Sequence, residues 1–265
     1  MDSIMKLRMI AIASLVAITF SSCSTVPVTG RRQLNLMSDT EVVKMTKVAF
    51  EQMKAQMPIS RDPRMNDWLL NVGERISQQV FWDMPLAEWE FVVFENPDVN
   101  AFAMPGGKVG VHTGLFKEGI VNSEEELAAV VSHEIAHVTA RHTHEKLSQA
   151  GVLQAGSTIT SMATGGLGNM ILNPSLSSNM ASWDRAKESE ADRIGIMYMA
   201  RAGYNPNAAI KVMEKMADKY GTEATYRAQQ DPNVSHPHPS ERLDGLHAQL
   251  AEAMEAYEKA KEMQF

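Results

Sequence analysis

Apolar residues recur at helical spacing in several separate stretches of the 265-residue chain. Ser38-Asp39 precede a segment to about Met57 in which Val42, Val43, Met45, Ala49, Phe50 and Met53 fall on one side. This predicts a capped amphipathic helix, stopped by Pro58. A second is expected from about Pro63 to Val80, where Met65, Trp68, Leu69, Val72 and Ile76 share a face. The period then changes. WEFVVFE (89–95) is aromatic and β-branched and reads as a strand, and NPDVNAFAMPGGKVGVH after it holds two more short extended pieces around Gly106-Gly107. Asn122-Ser123 followed by Glu124, Glu125 and Glu126 begins a long helix, because acidic residues there oppose the positive end of the helix dipole. Its pattern continues to about Leu147. Further helices are expected at 183–202, at 206–220 and from about Ser240 onward, where residues 251–265 read as a solvated end. Many helices around one small sheet make an α+β, mainly helical protein.

Two stretches lack such a pattern. STVPVTGRRQLN, after Cys23, is broken by Pro27 and Gly30 and reads as a tether or an edge segment over residues 23–37. Residues 150–181 are rich in Gly, Ser, Met and Asn and nearly free of charge, which suits a mobile flap, a loose helical hairpin or a plain connector. No repeat of about 34 residues is present.

Composition is ordinary for a globular chain, with 44% hydrophobic and 22% charged residues. The first residues are not ordinary. Lys6 and Arg8 flank an apolar run from Met9 to Phe20, and Ser21-Ser22-Cys23 follows, as in a secretory signal peptide of residues 1–22. The run is shorter than the roughly 20 residues a spanning helix needs. Cys23 is the single cysteine, so no disulfide forms within the chain, and its place resembles the lipobox of a bacterial lipoprotein. Acyl chains on Cys23 would hold the protein at a membrane surface. Without residues 1–22 the formal charge moves from −7 to −8, with 23 basic and 31 acidic residues, so nucleic acid is not expected as a partner.

The chemistry concentrates at HEIAH, residues 133–137. On a helix, His133 and His137 lie one turn apart on one face and can share a Zn²⁺ at about 2.1 Å. Glu134 points partly aside, where its carboxylate can act as general base on a water activated by the ion. Leu127, Val130, Val131, Ile135 and Val138 surround these groups, and burying them is costly unless something coordinates them. A catalytic zinc needs a third protein ligand. The extension HExxHxxGxxH fails, since Ala140 and Thr143 occupy the Gly and His positions, and His142 and His144 fall at other offsets. A downstream carboxylate remains. KESEADRIG (187–195) offers Glu188, with Asp192 one turn on to accept the free N–H of a ligand histidine, while Glu190 points elsewhere and Gly195 permits close helix packing.

HEIAH followed at a distance by ESEAD resembles the HExxH and ExxxD pair of HtpX-like and CaaX-prenyl-protease-like zinc metallopeptidases, a gluzincin family. NAFAMPGG (100–107), HEIAHVTARH (133–142) and SHPHPSERL (235–243) extend the resemblance over about residues 35–250. It implies a zincin-type catalytic domain over 38–250, with a three- to four-stranded sheet beside the active-site helix. It implies one Zn²⁺ held by His133, His137 and Glu188, Glu134 as base, and Asp192 behind His133. His236 would stabilise the oxyanion or serve as a fourth ligand, and Arg242 matches the arginine that follows it. Gly107, Lys108, Val109 and Gly110 would lie in an edge strand for an extended substrate, or in a simple hairpin. Membrane-spanning members carry several long apolar helices and BepA-like periplasmic members append helical repeats. The short form with a lipid-type leader is similar to small lipoproteins of the Gram-negative outer membrane facing the periplasm, and Ser24 agrees with that sorting. The implied substrates are misfolded or misassembled envelope proteins. The alternative is a zinc-containing, chaperone-like binding protein whose cleavage is latched or vestigial. Nothing in the sequence points to a particular oligomeric state.

Overall fold

The computed structural model describes residues 23–26, 28–154, 181–221 and 240–263. The expected signal peptide, the greater part of the 150–181 stretch and His236 lie outside them. The elements are β1 (Cys23–Thr25), β2 (Arg32–Leu34), α1 (Asp39–Gln56), α2 (Pro63–Gln79), β3 (Glu90–Phe94), β4 (Ala101–Met104), β5 (Lys108–His112), α3 (Thr113–Lys117), α4 (Glu124–Thr139), α5 (His142–Gln154), α6 (Ala181–Arg201), α7 (Asn207–Tyr220) and α8 (Ser240–Glu262). None of the described helices is long and apolar enough to cross a membrane.

Helix starts follow local chemistry. Ser38 and Glu41 form a reciprocal capping box before α1, and Asp62 accepts from the Met65 amide with Pro63 opening α2. Ser123 accepts from the Glu126 amide to begin α4. The buried face of α2 consists of Met65, Leu69, Val72, Gly73 and Ile76. Gly73 faces the Phe91 ring so closely that a Cβ would fall 2.3 Å from it, so α2 lies directly on β3.

The sheet runs β3-β5-β4, with β3 parallel and β4 antiparallel to β5. The Gly107 amide donates to Met104 O at 3.2 Å, closing a turn with Pro105 at one corner and Gly106, φ +88°, at the next. Lys108–His112 is therefore the central strand, which corrects the expected edge at Gly107–Gly110. All five residues of β5 are buried, a pattern shared by buried edges and centres, so only pairing on both sides reveals its place. The outer strand packed on α4 is β4.

Three further expectations change. The long helix ending near Leu147 is two helices, because Arg141 adopts a left-handed backbone (φ 57°) between α4 and α5. The 23–37 stretch expected as a tether or an edge segment carries a two-stranded antiparallel hairpin, β1 with β2. Cys23 pairs with Leu34, Val26 is fully buried in the main core, and Arg31 bonds carboxylates on α5 and α6. Residues 251–263 are amphipathic rather than solvated all round: Ala253 and Ala260 are buried and Tyr257 packs on the core, while Glu255 and Lys259 are exposed.

Helix α4 is the axis of the domain. Leu127, Ala128, Val131, Ile135 and Ala136 are buried between β4 on one side and α2, α6 and α7 on the others. Helix α6 lies between α4 and α8.

Candidate metal centre

Helix α4 presents His133 and His137 one turn apart, and α6 presents Glu188 and Asp192 with the same spacing. The two helices meet at Gly195. A Cβ there would lie 2.9 Å from His133 Cα and 3.0 Å from His133 N, so only glycine permits this approach. Glu188, Asp192 and Glu134 are all buried.

The three expected ligands converge. His133 Nε2 and His137 Nε2 are 3.1 Å apart, and each lies 3.2 Å from one oxygen of Glu188. Ligands at about 2.1 Å in a tetrahedral site are separated by roughly 3.4 Å, so the triangle matches a small ion to a few tenths of an ångström. Charge agrees. Among the described residues, Glu134, Glu188 and Asp192 face the guanidinium of Arg242, a formal surplus of two negative charges with the histidines neutral, which a divalent cation would neutralise. Two imidazoles and a carboxylate are the donor set of a catalytic zinc rather than of Ca²⁺ or Mg²⁺.

The surrounding groups hold these side chains in place. Asp192 Oδ1 lies 3.0 Å from His133 Nδ1, so the aspartate accepts the proton opposite the ligand nitrogen. Arg242, from α8, donates through Nε to Asp192 Oδ2 at 2.7 Å and through Nη2 to Asp192 Oδ1, and its Nη1 is 3.3 Å from Glu188 Oε2. Burial works against every one of these charges. It raises the Asp192 pKa, but the Arg242 charge and hydrogen bonds outweigh it and press the carboxyl down to about 2. Burial and Arg242 both work against the charged form of His133, yet Asp192 and Glu188 prevail and push it up to about 9 in the metal-free protein. A divalent ion would therefore displace a proton as it binds. Arg242 is held above its ordinary value despite burial, by the charge of Asp192 first and then by Glu188 and Glu134.

One participant was not singled out by the spacing argument. His142 Nδ1 lies 2.9 Å from His137 Nδ1, and its Nε2 lies 3.0 Å from Glu190 Oε2. Glu190 also accepts from Thr29 Oγ1 at 2.6 Å and from Arg31 Nε at 2.9 Å. Burial pushes His142 down to about 3 against the pull of the Glu190 hydrogen bond, so the ring is neutral. The ARH that follows HEIAHVT was the available signal, but in an unbroken helix His142 would sit about 140° around from His137. Only the left-handed Arg141 swings it back.

Residues 63–250 match the model of peptidase family M48. The chain is 30% identical over 236 residues to the beta-barrel assembly-enhancing protease of Escherichia coli strain K12, covering 84% of this chain and 46% of that protein. The corresponding protease of Yersinia pestis is 32% identical over 220 residues, covering 78% of this chain and 43% of its own length. The mitochondrial metalloendopeptidase OMA1 of Schizosaccharomyces pombe is 31% identical over 241 residues, covering 88% of this chain and 68% of that protein. The chain thus spans less than half the length of these two bacterial relatives. The resemblance read from HEIAH, ESEAD and their companions holds at the level of the family, and with the family model matched over well over half of its length the chain belongs to peptidase family M48.

Proposed function

We propose that the protein is a zinc-dependent endopeptidase that cleaves misfolded or misassembled envelope proteins. The observation that carries this reading is the triangle of His133, His137 and Glu188, with Glu134 adjoining it on the same helix. Zinc, when bound, supplies a Lewis acid that polarises a peptide carbonyl and brings the pKa of a water to about 7. The protein's own groups do the rest. Glu134 takes the proton of the attacking water and delivers it to the leaving amine. Asp192 fixes the tautomer of His133, and Arg242 holds Asp192 ionised and keeps both Asp192 and Glu188 in register. Strand β4, on the outer side of the sheet and against α4, offers backbone groups to an extended substrate, a mode of recognition with little side-chain preference.

The envelope setting rests on the lipobox-like Cys23 and on the names of the bacterial relatives. An acyl anchor on Cys23 would sit on β1 itself and hold the domain close to the outer membrane on its periplasmic side. His236 retains its two readings, oxyanion donor or fourth ligand. Casein digestion by the zinc-loaded protein tests the activity. Wild type should cleave internally, Glu134→Gln should be inactive while still binding zinc, and His236→Ala should change the rate. Zinc-replete wild type that binds unfolded casein without cutting it would favour the chaperone-like alternative.

A further inference from the structure

We propose that His142 is a positioning residue for the ligand His137, and that through Glu190 it makes the N-terminal hairpin part of the metal centre. The inference rests on reading His133, His137 and Glu188 as metal ligands. Nε2 of His137 is turned toward His133 and Glu188, so a proton on this ring belongs on Nδ1. That nitrogen faces His142 Nδ1 at 2.9 Å. Two N–H groups cannot face each other, so His137 donates and His142 accepts. His142 then carries its own proton on Nε2, which points at Glu190 Oε2, 3.0 Å away. The direction of every bond in this chain follows from the metal being on the far side of His137.

The chain ends on residues far away in sequence. Glu190 Oε1 and Oε2 both accept from Arg31 Nε, at 3.1 and 2.9 Å, and Oε1 accepts the Thr29 hydroxyl. Arg31 also reaches Glu145 on α5 through Nη2 at 3.0 Å. Thr29 and Arg31 lie between β1 and β2, the hairpin that starts at Cys23. The two ligand histidines are thus oriented differently. Asp192 serves His133 directly from the helix that carries Glu188, whereas His137 sits two residues before the end of α4 and depends on a second imidazole returned by Arg141. A partner behind a ligand histidine sets ring orientation and basicity, and its loss costs about ten- to hundredfold in metal affinity.

The test compares wild type with His142→Leu, His142→Gln and Arg31→Met. Zinc affinity is measured by competition with a chelator, the visible d–d spectrum is recorded with Co²⁺ in place of zinc, and urea unfolding of the metal-free forms is followed alongside. His142→Leu should weaken zinc binding by about ten- to hundredfold and shift the Co²⁺ bands. His142→Gln, which can accept from His137 and donate to Glu190, should restore most of both. Arg31→Met should move affinity and spectrum the same way by a smaller factor. A purely structural role would lower the urea midpoint and leave the Co²⁺ spectrum and affinity of the folded variants at wild-type values, and that result overturns the inference. If His142→Leu does not fold, wild-type affinity and spectrum in Arg31→Met together with a failed rescue by His142→Gln overturns it equally. Failure of wild type to bind one zinc would instead remove the metal reading itself.

Discussion

Replacing Gly195 by alanine should loosen the metal centre without substituting any ligand. A Cβ at this position would stand 2.9 Å from His133 Cα, 3.0 Å from His133 N and 3.1 Å from Ser132 C. Non-bonded carbons settle at about 3.5–4.0 Å, so α6 must retreat from α4 by about 0.5 Å or more. The obstacle is backbone, which cannot rotate aside. Two effects on stability oppose each other. Alanine favours a helix over glycine by about 1 kcal/mol, while forcing a methyl into a close-packed contact costs about 1–3 kcal/mol. The net for the metal-free protein is a loss of up to about 2 kcal/mol. The metal site amplifies the shift. Glu188 lies two turns earlier on the same helix, and its 3.2 Å separations from His133 and His137 lengthen as α6 moves. Zinc affinity should fall by roughly tenfold, the lower range for disturbed ligand geometry. Urea unfolding of the metal-free protein and chelator competition for zinc measure the two quantities. An alanine variant that is about 1 kcal/mol more stable, as at an unconstrained helical glycine, and binds zinc as wild type does, would refute the close-approach argument.

Other substitutions probe separate parts of the same arrangement. Glu188→Ala should abolish stoichiometric zinc in the dialysed protein, read by elemental analysis, because two imidazoles alone do not complete the site. Arg242→Met removes the guanidinium that pairs with the buried Glu188 and Asp192 and should cost about 3–5 kcal/mol in the metal-free protein by urea unfolding. Added zinc should recover part of that loss, in proportion to the logarithm of its concentration. His112, packed edge-on to Phe94 and Phe102, is held below its ordinary 6.5 by burial. The unfolded chain therefore binds the proton more readily, and stability should decline as pH falls below about 6.5. His112→Asn should make that slope shallower, leaving the part that His142 contributes, in denaturation measured between pH 5 and 7, and an unchanged slope would exclude His112 as a source.

Much of the local order can be read from neighbouring residues because it is produced by them. The capping box of Ser38 and Glu41, the Asp62-Pro63 start and the acidic first turn of α4 satisfy their own helix ends within three or four positions. The one-turn spacings of His133 with His137 and of Glu188 with Asp192 are likewise properties of a single helix. Gly195 could be named as a point of approach since its lack of a side chain is visible at once. None of these features says which surface meets which. Periodicity assigns a face to a residue and leaves its partner open. The burial of Lys108–His112 was therefore compatible with an edge, and hydrogen bonding to β3 and β4 alone made it the centre. Arg31 belonged to a stretch read as a tether or an edge segment until Glu190 and Glu145, 159 and 114 positions away, were brought against it. The contact of His142 with His137 depends on one left-handed residue, Arg141, between the two helices. Bonds formed within a turn are chosen by spacing. Bonds formed across the domain exist only once the core has decided which helices touch.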